Sequence, residues 1–498
     1  MMMTMPYLEG PKIKWREYSE EAFVQAKQEL RPVFLLCYSE GDRWCRMYAA
    51  ETLEDEEVAK SINGHFIPVF IDADKRRDLK RTCFAEGLPA TVLFDFKGNE
   101  LERFSGHLAK AGLMELLAAA AGGKIEPKRI IAAEIDERRQ GVFNSEKYEE
   151  FARDLEGQLA FLFDELYGGF GKGRKFPNTY LLDYLAVQYG RKEKALWKGV
   201  VKKSLGGLER LMDAGEGGFF EYSIARDWGS PYFKKNLREN AAIADIYSKA
   251  GKIFDDKEML KMGEGNLEWM QERLRDKKTG AFYGSESGDE NYYRRAGEER
   301  KTLKQPFIDK SVYCDWNCEA AISFLHAHRI YSKLEYWEIA DSVLGFVKGR
   351  MLGENGILHY YEEGKNAGID GLLMDNAWAA VAFFEAYRVG KQEEHLAAGK
   401  RIMEYMADNF YSAEKKAFIE RNSKSENMYR KGELRSEKIL QLENAVACWA
   451  LLAAYGATGE TEYLELCKVI IGNFLYVEED FDAAALVAQV GANLFMVQ

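Results

Sequence analysis

No apolar run in this chain approaches the roughly 20 residues a membrane-spanning helix needs, so no membrane helix is expected. Cysteine is scarce. Seven in 498 residues are too few and too scattered for a disulfide scaffold, which points to the reducing cytoplasm. The start, Met1 to Gly10, lacks a basic segment followed by an apolar stretch, so no secretory signal is expected. The crowded Met1, Met2, Met3 and Met5 leave the start site itself open. Positive charge is in deficit: 69 Lys and Arg against 81 Asp and Glu, a net of −12. That argues against a nucleic-acid partner. Histidine is sparse, with six. A phosphate-binding glycine loop, a dinucleotide fingerprint and a Ser-His-Asp order are all missing, so neither cofactor nor metal is expected.

What is present is an ordinary globular composition, 47% hydrophobic and 30% charged. Residues 13–122 alternate between helix and strand patterns. Ser19 to Glu29 is amphipathic with Ser19 at its start, and Pro32 to Cys37 is continuously apolar, as in a strand buried on both faces. A helix is expected from Trp44 to about Asn63, then strands at Phe66–Asp72, Leu88–Asp95 and Glu102–Gly106. Lys97-Gly98-Asn99 turns the last pair, and Leu108 to Ala121 closes the unit as a helix. This β-α-β then β-β-α order is that of thioredoxin, with Pro89 ahead of a central strand. Gly122-Gly123-Lys124 and Pro127 begin a linker over 123–144.

From Ser145 onward the pattern is helical and repetitive. Five turns meet an apolar residue: Gly168-Gly169-Phe170, Gly217-Gly218-Phe219, Gly280-Ala281-Phe282, Asn355-Gly356-Ile357 and Lys416-Ala417-Phe418. A helix opening near an asparagine follows each: Asn178, Asn240, Asn317, Asn376, Asn444. Helices around 178–190, 374–389 and 440–456 are apolar all round and must be enclosed, whereas those between carry a charged face. Six helices inside six others satisfy both classes. The expected fold is multidomain, an α/β thioredoxin-like domain over 1–122 followed by an all-α (α/α)6 toroid over 145–498.

The motifs Glu21-Ala22-Phe23, Trp44-Cys45-Arg46-Met47, Glu54-Asp55-Glu56-Glu57-Val58-Ala59, Pro231-Tyr232-Phe233-Lys234-Lys235, Glu239-Asn240-Ala241, Asp309-Lys310, Trp316-Asn317 and Asp375-Asn376-Ala377 occur in a telling order. In this the chain resembles thioredoxin-domain proteins related to spermatogenesis-associated protein 20. The resemblance runs from Trp15 to the C-terminus. It implies a thioredoxin-like domain joined to a toroid like those of N-acylglucosamine 2-epimerases and related sugar enzymes. Where that family shows Cys-His-Trp-Cys-His, this chain has Asp42-Arg43-Trp44-Cys45-Arg46. Tyr232 stands at the family's histidine before Phe233.

Cys45 is the redox candidate, but dithiol exchange needs a resolving thiol that Asp42 cannot supply. A nearby Asp42 would also disfavour the thiolate, while Arg43 and Arg46 would favour it. Cys314 and Cys318 read as packing residues, since zinc would want two more ligands nearby. The carboxylates at the inner-helix openings converge on a central pit: Glu239, Asp309, Asp315, Asp375 and Glu443. Glu239, Asp375 and Glu443 are candidates for acid–base catalysis on a sugar. Asn240, Asn317, Asn376 and Asn444 are candidates for holding hydroxyls. Tyr222, Trp228, Tyr232, Trp316 and Trp378 offer faces for a sugar ring, and His359 lies in a loop nearby. Helix capping by Asp and Asn accounts for part of this set equally well. Two functions stay open: a cytoplasmic carbohydrate-active or carbohydrate-binding protein, or an interaction protein whose thioredoxin-like domain docks a protein partner. A monothiol redox enzyme using Cys45 is a third.

Overall fold

A computed structural model describes residues 12–39, 41–77, 79–80, 87–127, 141, 143–192, 195–295, 297–364, 369–422, 438–478 and 480–497. Most of the expected linker lies outside the described residues. The chain divides into two compact units: Met1–Ile135 with Glu426–Lys438, and Asp136–Ser425 with Ile439–Gln498.

In the first unit the order is β1 (Arg16–Glu17), α1 (Glu20–Glu29), β2 (Val33–Tyr38), α2 (Arg43–Tyr48), α3 (Glu56–His65), β3 (Ile67–Asp72), β4 (Ala90–Phe94), β5 (Glu100–Ser105) and α4 (Lys110–Ala121). The sheet order is β1-β3-β2-β4-β5, with β2 parallel to β3 and antiparallel to β4. All six residues of β2 are buried because β2 is central and covered on both faces. The peptide bond before Pro89 is cis and leads into β4. The helix expected over Trp44–Asn63 is broken instead. Glu54 ends the wide turn Ala49–Leu53, and Asp55 caps α3, accepting from Glu57 N at 2.9 Å and Val58 N at 3.3 Å.

The second unit is a ring of helix pairs. Its inner helices are α6 (Thr179–Lys192), α8 (Leu237–Phe254), α10 (Cys314–Tyr331), α12 (Leu373–Gly390), α14 (Gln441–Thr458) and α16 (Phe481–Val497). The outer helices are α5 (Ser145–Leu162), α7 (Ala195–Leu208), α9 (Lys257–Arg273), α11 (Leu334–Phe346), α13 (Glu393–Asn409) and α15 (Thr461–Ile471). Each inner helix packs on the next, and α16 packs on α6, so the ring closes. Every inner helix is reached through an outer one. All inner helices therefore run the same way and start at one end of the ring.

Each glycine-type turn closes a minimal hairpin at the end of an outer helix. Phe163 bridges Phe170, Met212 bridges Phe219, and Arg275 bridges Phe282. Leu352–Gly353 pairs with Gly356–Ile357, and Tyr411–Ser412 with Ala417–Phe418. Gly218 shows why the turn needs glycine. Its φ is +72°, and an added Cβ would lie 2.4 Å from Trp269 Cε2.

The asparagines that open four inner helices lock these hairpins in place. Each stands fourth in its helix and is fully buried. Asn317 Oδ1 accepts from Phe282 N at 2.8 Å, while its Nδ2 donates to Phe282 O at 3.0 Å and Tyr313 O at 2.9 Å. Asn240 does the same with Phe219 and Asn236, and Asn444 with Phe418 and Leu440. Asn376 accepts from Ile357 N and donates to Leu372 O. Asn178 differs: it precedes α6 at φ +46° and donates to Asp482.

Losing a clamp strands buried backbone groups at about 1–3 kcal/mol each. Asn317→Ala is therefore expected to destabilise the toroid by about 3 kcal/mol in denaturant unfolding followed by tryptophan fluorescence. A loss below about 0.5 kcal/mol, typical of a surface change, would show that the clamp is not needed.

Candidate functional site

The six inner-helix N-termini meet at one end of the ring, and their orphan N–H groups and dipoles favour negative charge there. Five of these helices carry an acid in the first turn: Glu239, Asp315, Asp375, Glu443 and Asp482. None of them is an N-cap. Asn236 caps α8, accepting from Glu239 N at 2.7 Å, and the residues before α10, α12 and α14 make no side-chain cap. Two of the acids instead accept from first-turn N–H groups of a neighbouring inner helix, Asp482 from Leu181 and Asp375 from Asp315.

One group of charges centres on Arg238 and Glu319. Arg238 Nε donates to Glu319 Oε1 at 3.0 Å, and Arg238 Nη2 to the Tyr180 hydroxyl at 3.3 Å. Tyr180 in turn donates to Glu319 Oε2 at 2.5 Å. Glu239 lies beside this cluster, 4.0 Å from Arg238 Nη1, with 28% of its side chain exposed. Burial lifts its pKa to about 7, against the pull of Arg238 and helped by Glu221, Asp482 and Glu319. Asp482 is raised to about 6, again by burial first, although it accepts from Leu181 N and Asn178 Nδ2 at 3.0 Å each. Burial also raises Glu319. Tyr180 lies nearly parallel to Trp378, with centroids 6.2 Å apart.

A second group joins α10, α12 and the loop between α11 and α12. His359 Nδ1 is 2.8 Å from Asp375 Oδ2, and Asp315 N donates to Asp375 Oδ1 at 3.3 Å. Asp315, His359 and Asp375 bring one ligand atom each to within 4.8 Å of one another, which suits a cation as well as a proton-sharing dyad. All three are buried, Asp375 at 1% exposure, so Asp375 is not on an open wall as expected from its place in the chain. Glu443 is also buried, in the first turn of α14.

Several other candidates hold the protein rather than face a ligand. Asn240, Asn317, Asn376 and Asn444 are not hydroxyl binders, because their amides are satisfied by the backbone of the hairpins. Trp228 is not a stacking face: it is 1% exposed, and its Nε1 donates to Tyr167 O. Asp309 accepts from the Tyr313 hydroxyl at 2.9 Å and from Ser311 N at 3.0 Å, bracing a loop. Trp316 is buried against Tyr313. Tyr232 is covered by Tyr222 at 4.8 Å, and Tyr222 by Phe176 at 5.2 Å, leaving half-exposed Phe176 as the outer ring. Arg238, Glu319, Tyr180 and Asp482 were not singled out from sequence. Asp482 lacks the following asparagine, and Glu319 is a full turn inside α10. The one available signal was an unmatched charge on otherwise apolar inner helices.

In the thioredoxin-like domain Cys45 is sealed from solvent. Its Sγ accepts from Ser39 N at 3.4 Å, and Asp42 caps α2 by accepting from Cys45 N at 2.8 Å. Burial, then the Asp42 charge, push the thiol well above its ordinary range.

These features define a class: a thioredoxin-like domain carried by the same chain as an (α/α)6 toroid. Residues 4–90 match the DsbH-type thioredoxin family model, described as "Protein of unknown function, DUF255". The chain is similar to Spermatogenesis-associated protein 20 of Mus musculus, 25% identical over 309 residues, which are 56% of this chain and 39% of the mouse protein. The chain thus spans about two fifths of that relative's length. An uncharacterized protein of Caenorhabditis elegans is 24% identical over 93% of this chain and 63% of its own. Among solved structures, cellobiose 2-epimerase from Spirochaeta thermophila aligns with a TM-score of 0.55 and 14% identity, covering 71% of this chain and 97% of that one. A D-mannose isomerase aligns at 0.54 and 10%, covering 74% and 100%. The resemblance carried by the sequence motifs is borne out, and the structural neighbours are carbohydrate-active enzymes. No helix among the described residues is long and apolar enough to cross a membrane.

An insulin-reduction assay is expected to show no turnover above background, because the Cys45 thiol is buried and has no resolving thiol at position 42. Thioredoxin-like turnover that Cys45→Ser abolishes would overturn this.

Proposed function

We propose that the toroid pit is a carbohydrate site and that the chain performs acid–base chemistry on a sugar there. The observation that carries this reading is Glu239. It is a partly exposed carboxyl in the first turn of α8, held near neutral pKa by burial and by neighbouring acids against the pull of Arg238. Such a group donates a proton at physiological pH, where an ordinary glutamate cannot. The His359–Asp375 dyad and Glu443 are the second proton-handling groups in this reading. Tyr180 and Trp378 provide apolar faces, and the likeness in fold to sugar epimerases, isomerases and mannanases is in keeping with it. The thioredoxin-like domain then acts as a scaffold or docking module rather than a reductase. The sealed Cys45 and the exposed Trp44, with Arg43 5.8 Å over its ring, favour that role.

Glu239→Gln and Asp375→Asn are expected to lower turnover or sugar binding at least about 100-fold, in line with loss of a positioned acid or base, with little change in melting temperature. Unfolding of both variants would mark them as structural. Turnover should fall as pH rises through about 7, and Glu239→Gln should lose that limb. The sign for stability is also fixed. Glu239 ionises at about 7 when folded against an ordinary 4.5, so it withdraws stability as pH climbs through that interval. Denaturant titrations of Glu239→Gln should show a shallower decline there.

A further inference from the structure

Arg238 and three acids surround Glu239, and most of their hydrogen-bonding capacity is already taken up. Glu319 accepts from Arg238 Nε on Oε1 at 3.0 Å and from the Tyr180 hydroxyl on Oε2 at 2.5 Å. Asp482 accepts from Leu181 N on Oδ1 and from Asn178 Nδ2 on Oδ2, at 3.0 Å each. Glu221 Oε1 accepts from Asn236 Nδ2 at 2.6 Å. Two groups differ. Arg238 Nη1 and the Glu239 carboxyl make no hydrogen bond among the described residues, and they lie 4.0 Å apart. Both side chains keep solvent access, at 33% and 28% exposure.

That gap is too long for a direct hydrogen bond and the right size for one shared atom. An oxygen about 2.8 Å from each would meet them at roughly 90°, close to the spread of lone pairs on a single oxygen. It would accept an N–H from Arg238 and a proton from Glu239. Arg238 is aimed in advance, because Nε is held by Glu319 and Nη2 donates to Tyr180 at 3.3 Å. The two residues are consecutive in the first turn of α8, so the backbone also fixes their spacing.

The kind of oxygen follows from charge and shape. A glycosidic oxygen carries two substituents that crowd it against two donors, and its cleavage gathers positive charge on the sugar ring, which a guanidinium beside the acid opposes. A carbonyl oxygen carries one carbon and offers two lone pairs. It gains a full negative charge when the neighbouring carbon loses a proton. A fixed guanidinium stabilises that charge more than it stabilises the ground state.

We infer that Arg238 holds the carbonyl oxygen of an open-chain reducing sugar, that Glu239 protonates this oxygen, and that the reaction is proton transfer at the neighbouring carbon, an epimerisation or an aldose–ketose isomerisation. The inference rests on the reading of the pit as a carbohydrate site, and adds a catalytic residue and a reaction class. The step balances without a co-reactant. The C2 proton passes to the second proton-handling group, the C–H pair becomes the C1=C2 bond, and the C1=O π pair moves onto oxygen, which takes the Glu239 proton. Return of a proton to the opposite face of C2, with O1 giving its proton back to Glu239, yields the epimer. Return to C1, with O2 giving up its proton instead, yields the ketose. Glu319 and Tyr180 act through Arg238 and are positioning residues.

The test uses the full-length protein. Glucose, mannose, N-acetylglucosamine and cellobiose are incubated with it in D2O, and exchange at C2 is followed by proton NMR. Release of nitrophenol from 4-nitrophenyl glucosides and mannosides reports hydrolysis. At least one reducing sugar is expected to exchange its C2 proton, with nitrophenol release at background. Arg238→Gln is expected to slow exchange about 100-fold or more, the loss typical of one oxyanion donor. Arg238→Lys keeps the charge but not the fork and is expected to lose about tenfold; it decides the matter if Arg238→Gln does not fold. Glu319→Gln is expected to slow exchange about tenfold alone and to add nothing on top of Arg238→Gln, a non-additivity that a purely structural role would not give. Exchange that neither Arg238 variant slows would overturn the inference. So would nitrophenol release without C2 exchange, which leaves the carbohydrate reading standing. Neither exchange nor hydrolysis with any probe would overturn both.

Discussion

The toroid depends on one repeated hydrogen-bonded clamp. An asparagine at the fourth position of an inner helix ties that helix to the backbone of the hairpin before it. The clamp sets how each outer helix hands the chain to its inner partner. It also explains why the turns are glycine-type. A left-handed residue brings the following phenylalanine or isoleucine backbone within reach of the amide, as at Gly218 and Gly280. Once all these joints share a geometry, like helix ends gather at one face. The acids standing one residue before the asparagine, at Glu239, Asp375 and Glu443, are carried there with them.

The two residues of that acid-Asn pair therefore divide the labour. The asparagine faces the hairpin and is closed off from any ligand. The acid lies on a neighbouring helix face, with environments that differ from one repeat to the next. Glu239 is partly exposed between Arg238 and several other acids, whereas Asp375 is enclosed against His359. A shared scaffold thus offers positions at which individual electrostatic settings can diverge.

Much of this was legible in the chain itself. Fully apolar helices such as Ala377–Phe384 and the spaced glycine turns pointed to an enclosed inner ring, and the continuous run Val33–Cys37 pointed to a central strand. What sequence could not supply was direction. Periodicity marks Asn240 and Glu239 as neighbours but does not say that one turns to a carbonyl and the other lies beside Arg238. Nor does it bring together residues as distant as Tyr180, Arg238 and Glu319, which meet only because the ring closes. The break between Tyr48 and Glu56 was hidden as well, because helix-forming residues continue through it and only Asp55 marks the restart.

Ring closure has a consequence for how the pit comes into being. An open stack of helical hairpins can be built from either end and needs special terminal units to shield its exposed faces. Here the last inner helix, Phe481–Val497, packs on the first, Thr179–Lys192, so each terminal hairpin shields the other. The central space exists only after that final docking. It is a property of the finished circle rather than of any single repeat, so occupancy of the pit would report completed assembly of the whole domain.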